Sequence, residues 1–474
     1  METHKNEFRR QTMQNTVYAA TRLDRLPLSS FHWRLFFLIG AGLFLDAFDV
    51  YLGGVVTGAL LKSGWSTLEL NAWFTTLTFA GLTIGAWCAG ILGDRFGRRF
   101  SYQLNLLIFG GASLAAAFAP SMTWLIALRF IMGIGMGAEI VISYGMLSEF
   151  VPPRYRGRLL AALSLFANSA VFVASLASLW IIPTFGWRYM FAITGVAATI
   201  VWVMRKKMPE SPRWLVSQGR LEEAEAVLDG IETSVAKRHV LPDYLREDTV
   251  RAETVPLSVL FRTPVLWRSI VGSLIMVTIG YSVYGLINWL PSFFVQQGFN
   301  IVKSLTYSTV MSLGAPAGTV IGIFITDRMG RRPAIIGATL ATAAIGLLYQ
   351  HAASSAELLT AGFCLVAGIY VLVAVGQGAY VPELFATSYR LRGSGVCGTA
   401  GRAASALCQF FVLWLFTVGG VNMVVGSVVA VQLLLALAVW LLKIETSGLR
   451  LEQTVETGIS TGTQERHRTV DISH

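Results

Sequence analysis

The sequence predicts an all-α membrane protein of twelve transmembrane helices in two pseudo-symmetric six-helix bundles. Three observations carry this. Hydrophobic residues make up 54% of the 474 and charged residues only 14%, with a mean hydropathy of +0.59. A soluble chain of this length needs far more charge on its surface. Apolar stretches repeatedly reach the roughly 20 residues needed to cross a hydrocarbon core. Finally, a charged phrase occurs twice, as Gly93-Asp94-Arg95-Phe96-Gly97-Arg98-Arg99 and as Thr326-Asp327-Arg328-Met329-Gly330-Arg331-Arg332, with the aspartates 233 positions apart. A second phrase, around Glu149 and around Glu383, repeats at an offset of 234. Two markers at one period indicate a duplicated membrane architecture.

In chain order, residues 1–30 form a polar N-terminal tail without an apolar core segment, so no cleavable signal peptide is expected. The first bundle occupies residues 31–205, with spans at about 33–60, 69–92, 100–119, 122–149, 158–182 and 187–205. Residues 206–266 form a linker with balanced charge, whose middle (Leu221 to Ile231) reads as an amphipathic helix with Glu222, Glu223 and Glu225 on its polar face. The second bundle, residues 267–443, holds spans at about 267–296, 304–325, 334–352, 357–381, 393–417 and 421–443. A Ser/Thr-rich tail, 444–474, follows. Gly81, Gly85 and Ala89, like Gly133 and Gly137, have the spacing of small residues that lets membrane helices approach closely. Pro316, between Gly314 and Gly318, and Pro291 are expected to bend spans 8 and 7.

Charge placement sets the orientation. The loops carrying the repeated phrases hold eleven arginines, whereas the alternate short loops hold only Lys62, Arg188 and Lys303. The arginine-rich loops and both termini are therefore expected in the cytoplasm. This bias accounts for the net charge of +10, and no basic stripe on a soluble domain points to nucleic acid. Cys88, Cys364, Cys397 and Cys408 all lie in expected spans and read as packing thiols, not as a disulfide framework or a zinc site.

The repeated phrases resemble the signature of the major facilitator superfamily. Gly90 with Asp94, Arg95, Gly97, Arg98 and Arg99 is similar to its loop motif; Arg129 to Gly133 is similar to the span 4 motif of proton-coupled members. Pro209-Glu210-Ser211-Pro212-Arg213-Trp214-Leu215 is similar to the phrase after span 6 in sugar porters. The resemblance covers about residues 30–445. Span 7 lacks the paired glutamines of sugar porters, and Arg402 in span 11 looks like the arginine of organic-anion and aromatic-acid carriers. The resemblance thus implies a metabolite:proton symporter near the aromatic-acid, nicotinate and organic-ion branches. It further implies that Asp94, Arg98, Glu149, Arg156, Glu210, Asp327, Arg331, Glu383 and Arg392, at the inner span ends, form gating ion pairs. For the acids among them, the positive-inside bias offers no other explanation.

An ionisable group in a span costs at least ~2.5–3.5 kcal/mol at the centre. Five are read inside spans: Asp46, Asp49, Arg129, Glu139 and Arg402. Asp46 and Asp49 share a face of span 1. At ~1.5 Å per residue from Trp33, Asp49 lies ~24 Å along it, a depth at which a pair with Arg129 is plausible. Asp49 sits where proton-coupled sugar porters, which this segment resembles, carry a protonatable aspartate. Asp49, Asp46, Arg129 and Glu139 are the candidates for proton coupling. Arg402 falls near midplane, ~14 Å from Gly393, where a carboxylate ligand would relieve its cost through a bidentate pair. The alternative is a permanent pair with Glu139 or Asp46. The repeat places Asn168 opposite Arg402, and Tyr281 and Tyr284 opposite the two aspartates. With Asn288, Trp289, Gln377 and Tyr380 these form the candidate substrate wall.

The expectation is a proton-coupled uptake carrier for a small aromatic or heteroaromatic monocarboxylate such as nicotinate, benzoate or hydroxybenzoate, working by alternating access in a bacterial inner membrane. No cofactor or metal is expected; the partners are substrate, protons and the lipid bilayer, and a monomer suffices. An exporter of organic cations or drugs, a symporter of a sugar-like solute and a non-transporting sensor are the competing readings. No HExxH, phosphate loop or nucleophile–base arrangement points to an enzyme.

Overall fold

The structure is a computed structural model that describes residues 17–243, 257–263, 265–385 and 389–444; the side chains of residues 90, 91, 94, 257, 327, 390 and 391 also lie outside the described set. Asp94 and Asp327 of the gating set, and almost all of the C-terminal tail, are therefore outside it. The described residues are all-α. The helices are α1 (Ala19–Asp24), α2 (Ser30–Lys62), α3 (Leu68–Phe96), α4 (Arg98–Ala117), α5 (Met122–Phe150), α6 (Pro153–Phe185), α7 (Arg188–Arg205), α8 (Pro212–Ser217), α9 (Leu221–Ala236), α10 (Val265–Gly285), α11 (Leu290–Gln296), α12 (Ile301–Ser312), α13 (Gly314–Met329), α14 (Arg331–Gln350), α15 (Ser355–Leu372), α16 (Val381–Glu383) and α17 (Arg390–Leu442). Among the described residues, ten helical segments are long and apolar enough to cross a membrane. The last of them contains non-helical backbone at Gly419 and Gly420, so one continuous helical stretch is two segments joined at a kink.

Interruptions fall where backbone chemistry demands them. Span 7 breaks after Gly285 into a short 3₁₀ turn (Ile287–Trp289) before α11, whose second residue is Pro291; proline there forfeits no internal hydrogen bond. Span 8 breaks at Leu313, so that Pro316 sits in the first turn of α13. Span 10 passes from α15 into a π-helical stretch, Val373–Tyr380, containing Gly376 and Gly378. Such wide turns concentrate at functional sites, and the hydrophobic pattern gave no sign of this one.

The chain divides into two compact units. The first comprises Met1–Asp49, Gly81–Ala167 and Phe191–Arg251; the second comprises Val50–Ala80, Asn168–Met190 and Ala252–His474. The first unit packs Leu35, Ile39, Leu43, Met146, Phe150 and Leu163 into one core, joined by Leu228, Ile231 and Val235 of α9. Helix α9 is thus amphipathic as expected, and its acidic face meets the N-terminal segment. Arg22 of α1 binds Glu225 (2.5 Å), Asp229 (2.7 Å) and Glu232 (2.7 Å), and Arg25 binds Glu232 (2.7 Å). Within the segment read as an N-terminal tail, Ala19–Asp24 form a short helix, and its Arg22 and the following Arg25 hold it to the linker.

Glycine spacing sets helix approach in both units. Cβ atoms at Gly81 and Gly85 of α3 would collide with the α5 backbone at Phe130 and Ile134. In the second unit, Cβ atoms at Gly314 and Gly318 of α13 would collide with the α15 backbone at Phe363 and Ala367. The two pairs stand at the same 233-residue offset as the repeated phrase. Gly97 (φ 96°) and Gly330 (φ 83°), inside the two copies of that phrase, form the turns into α4 and α14 in a conformation that disfavours a side chain.

Candidate functional site

In the first unit, the face of α2 that holds Asp46 and Asp49 turns inward; the two are 1% and 0% exposed. Arg129 of α5 engages Asp49 through a hydrogen-bonded ion pair at Oδ2, and its second terminal nitrogen donates to the Asp49 carbonyl at 3.2 Å. The expected pair is present. Glu139, ten residues further along α5, faces a cation at the last position of the sixth span that was not counted among the in-span charges: Arg205, at the end of α7, lies 2.6 Å from Glu139 Oε1. Arg205 is 1% exposed. Its other nitrogens donate to the carbonyls of Leu38 (2.8 Å) and Ile39 (2.9 Å) in α2, and its guanidinium lies over the Tyr102 ring at 4.5 Å. In sequence it opens the run Arg205-Lys206-Lys207, which looks like ordinary cytoplasmic flanking charge. Gly42 makes room for this pair, since a Cβ there would strike Arg205 and Glu139.

Asp46 is different. No cation pairs with it among the described residues, and both of its carboxylate oxygens are buried without a hydrogen-bond partner there.

The second unit carries the candidate substrate residues. Arg402 in α17 is half-buried and makes no ion pair or hydrogen bond among the described residues; Tyr284 is its electrostatic neighbour. Tyr284 sits in an aromatic cluster, stacked on Tyr51 (centroids 6.2 Å apart) and tilted against Phe79 (4.4 Å). The Tyr51 hydroxyl lies 2.6 Å from that of Tyr370. Tyr51, Phe79 and Tyr370 escaped the sequence reading. The position of Tyr51, two residues beyond Asp49, was the available signal.

The remaining wall residues divide. Asn288 lines a small cavity with Tyr51, Gly54, Ser175, Ser308 and Ser312, and its Oδ1 has no hydrogen-bond partner. Trp289 is 3% exposed and donates from Nε1 to Gln409 Oε1 at 2.7 Å, so its polar edge is already satisfied. The Tyr281 hydroxyl pairs with Ser427 (2.5 Å), and that of Tyr380 donates to the Ile444 carbonyl (2.6 Å) at the far end of α17. Asn168 is half-buried and Gln377 is exposed within the π-helical stretch.

The gating set forms two matched contacts. Arg98 lies 3.3 Å from Glu149, and Arg331 makes a two-pronged pair with Glu383 (3.0 and 3.1 Å). Arg331 also donates to the Thr326 carbonyl. Glu210 accepts from the backbone amides of Arg98 (3.0 Å) and Arg99 (3.1 Å), capping the N-terminus of α4 with a carboxylate where the helix dipole favours one. Arg156 donates to the Val151 carbonyl and approaches Asp24 at 3.6 Å. Arg392 is exposed.

Comparison with known proteins follows the same lines. Residues 36–457 match the family model described as "Sugar (and other) transporter". The inner membrane metabolite transport protein YdjE of Escherichia coli is 36% identical over 94% of this chain and 100% of its own length. The niacin transporter NiaP of Acinetobacter baylyi is 32% identical over 91% of this chain and 98% of its own. Among solved structures, a partially occluded inward-open form of the E. coli xylose transporter XylE matches with a TM-score of 0.68 at 20% identity, covering 89% of this chain and 100% of that one. At that identity the likeness concerns the fold.

Proposed function

The chain belongs to the sugar (and other) transporter family of the major facilitator superfamily, a family of membrane carriers and not of enzymes, and we propose that it takes up a small aromatic or heteroaromatic monocarboxylate together with a proton by alternating access. In this reading it has twelve spans, the kinked α17 supplying two and α7 one, with both termini in the cytoplasm.

The observation that carries the reading is Arg402. A guanidinium within a membrane helix, given no anionic partner by the described residues, is expensive to keep. A substrate carboxylate supplies two acceptors in the geometry of the guanidinium fork. Tyr284, with Tyr51 and Phe79 against it, offers ring faces for an aromatic substrate. The niacin transporter among the relatives fits the same chemistry. The cation-exporter reading is weakened because Arg129 and Arg205 already occupy Asp49 and Glu139. A buried carboxylate of α2 is the proton carrier.

The test is a thermal-shift screen of nicotinate, benzoate and hydroxybenzoate on the purified protein and on Arg402→Ala. Ligand stabilisation at about 100 times the dissociation constant is worth about 2.7 kcal/mol. It is expected in the wild type and absent in the variant. Stabilisation by organic cations alone overturns the proposal. A proton and a monocarboxylate are neutral together, so uptake into proteoliposomes should follow an imposed pH gradient and ignore an imposed membrane potential. Uptake driven by the potential would rule out one-to-one coupling.

A further inference from the structure

Among the described residues in the membrane helices of the first unit, the fully buried charged side chains are three carboxylates, Asp46, Asp49 and Glu139, and two guanidiniums, Arg129 and Arg205. Each guanidinium is committed, Arg129 to Asp49 and Arg205 to Glu139. One carboxylate is left over. Asp46 is 1% exposed, and neither of its oxygens has a hydrogen-bond partner. An isolated buried carboxylate is among the most expensive groups a protein can hold, whereas its neutral acid is tolerated. Five groups with one excess negative charge therefore hold one proton when closed off from water.

We propose that Asp46 carries this proton and that Arg205 is the positioning cation that receives the Asp46 carboxylate when the proton leaves. The proposal rests on the proton-coupled function above and names its proton-bearing group, one helical turn from the aspartate to which the family resemblance points. The charged neighbours of Asp46 are Asp49 on its own helix, Glu139 on α5 and Arg205 on α7; the Tyr102 phenol faces it from α4. Arg205 is held against α2 by the Leu38 and Ile39 carbonyls, in the turns that precede Asp46. It makes only a charge contact with Glu139, poorly aligned as a hydrogen bond. On release, the Asp46 O–H bond breaks, the proton passes to water, and the carboxylate accepts from an Arg205 N–H so that the guanidinium bridges Asp46 and Glu139. No other bond changes.

Infrared difference spectroscopy tests this on the purified protein without substrate, so a failed substrate assignment leaves the result interpretable. The carbonyl stretch of a protonated carboxylic acid is expected in the wild type near neutral pH, retained in Asp49→Asn and lost in Asp46→Asn. A band lost in Asp49→Asn and kept in Asp46→Asn, or no band at all, overturns the proposal. Glu139→Gln provides an arm that does not depend on the folding of Asp46→Asn. Freed from Glu139, Arg205 pairs with Asp46 in the ground state, and the band should disappear about 1 pH unit lower than in the wild type. An unchanged or raised midpoint refutes the role given to Arg205.

Discussion

Arg129 and Asp49 show how little tolerance a buried charge leaves. Both are almost completely shielded from solvent, so removing one partner strands the other. Arg129→Ala is expected to destabilise the protein by about 3–5 kcal/mol, and adding Asp49→Asn should restore much of the loss. Thermal unfolding in detergent measures both; an additive double variant would show that the pair is not coupled. Trp289 was expected to face substrate, but its indole N–H serves Gln409 inside the core. Trp289→Phe leaves the Gln409 carbonyl oxygen without its donor, and a loss of about 1–3 kcal/mol is expected. A fall in ligand affinity with unchanged stability would instead return Trp289 to the substrate wall. The pairing of Asp49 was legible because both residues sat at matching depths in their spans. Arg205 was not, because a cation at a span end looks the same whether it faces the headgroups or turns back onto a neighbouring helix.

The helices are placed by small residues as much as by large ones. Gly85 in α3 and Gly318 in α13 lie where a methyl group would enter the backbone of a neighbouring helix. Gly111 in α4 faces open space. Gly85→Ala and Gly318→Ala should each cost about 1–3 kcal/mol through forced separation of the helices. Gly111→Ala should be neutral or gain up to about 1 kcal/mol from helix propensity. Equal melting temperatures for all three variants would refute close packing as the reason for the repeated glycines. The small-residue spacing in α3 was readable in advance, as were the interruptions near Pro291 and Pro316, since proline removes a specific hydrogen bond. The π-helical stretch after Leu372 was not, because an extra residue per turn leaves no mark on an apolar sequence.

Across the molecule, the longest sequence separation bridged by an ion pair among the described residues of the first unit joins the N-terminal segment to the linker. Burial opposes the charged form of Glu232, but hydrogen bonds from Arg22 and Arg25 prevail and hold its carboxyl below the ordinary value of 4.5. The contribution of this clasp is therefore full above pH 4.5 and is lost as the pH falls through the lower native value. Hydrogen exchange should show the amides of α9 losing protection in acid, and Glu232→Gln should reproduce the loss at neutral pH; equal protection in both forms would mean that the apolar face of α9 suffices alone. The sequence by itself determined the class, the repeated phrases and their period, the glycine and proline positions and the family, because hydropathy, period and backbone permissiveness are local properties written residue by residue. Only the tertiary structure decided which charges are paired. Pairing depends on which helix faces meet across gaps of 80 residues for Asp49 with Arg129, or 66 for Glu139 with Arg205. No local pattern records that Arg205 turns inward, or that Asp46 is left without a partner while its neighbour on the same face has one.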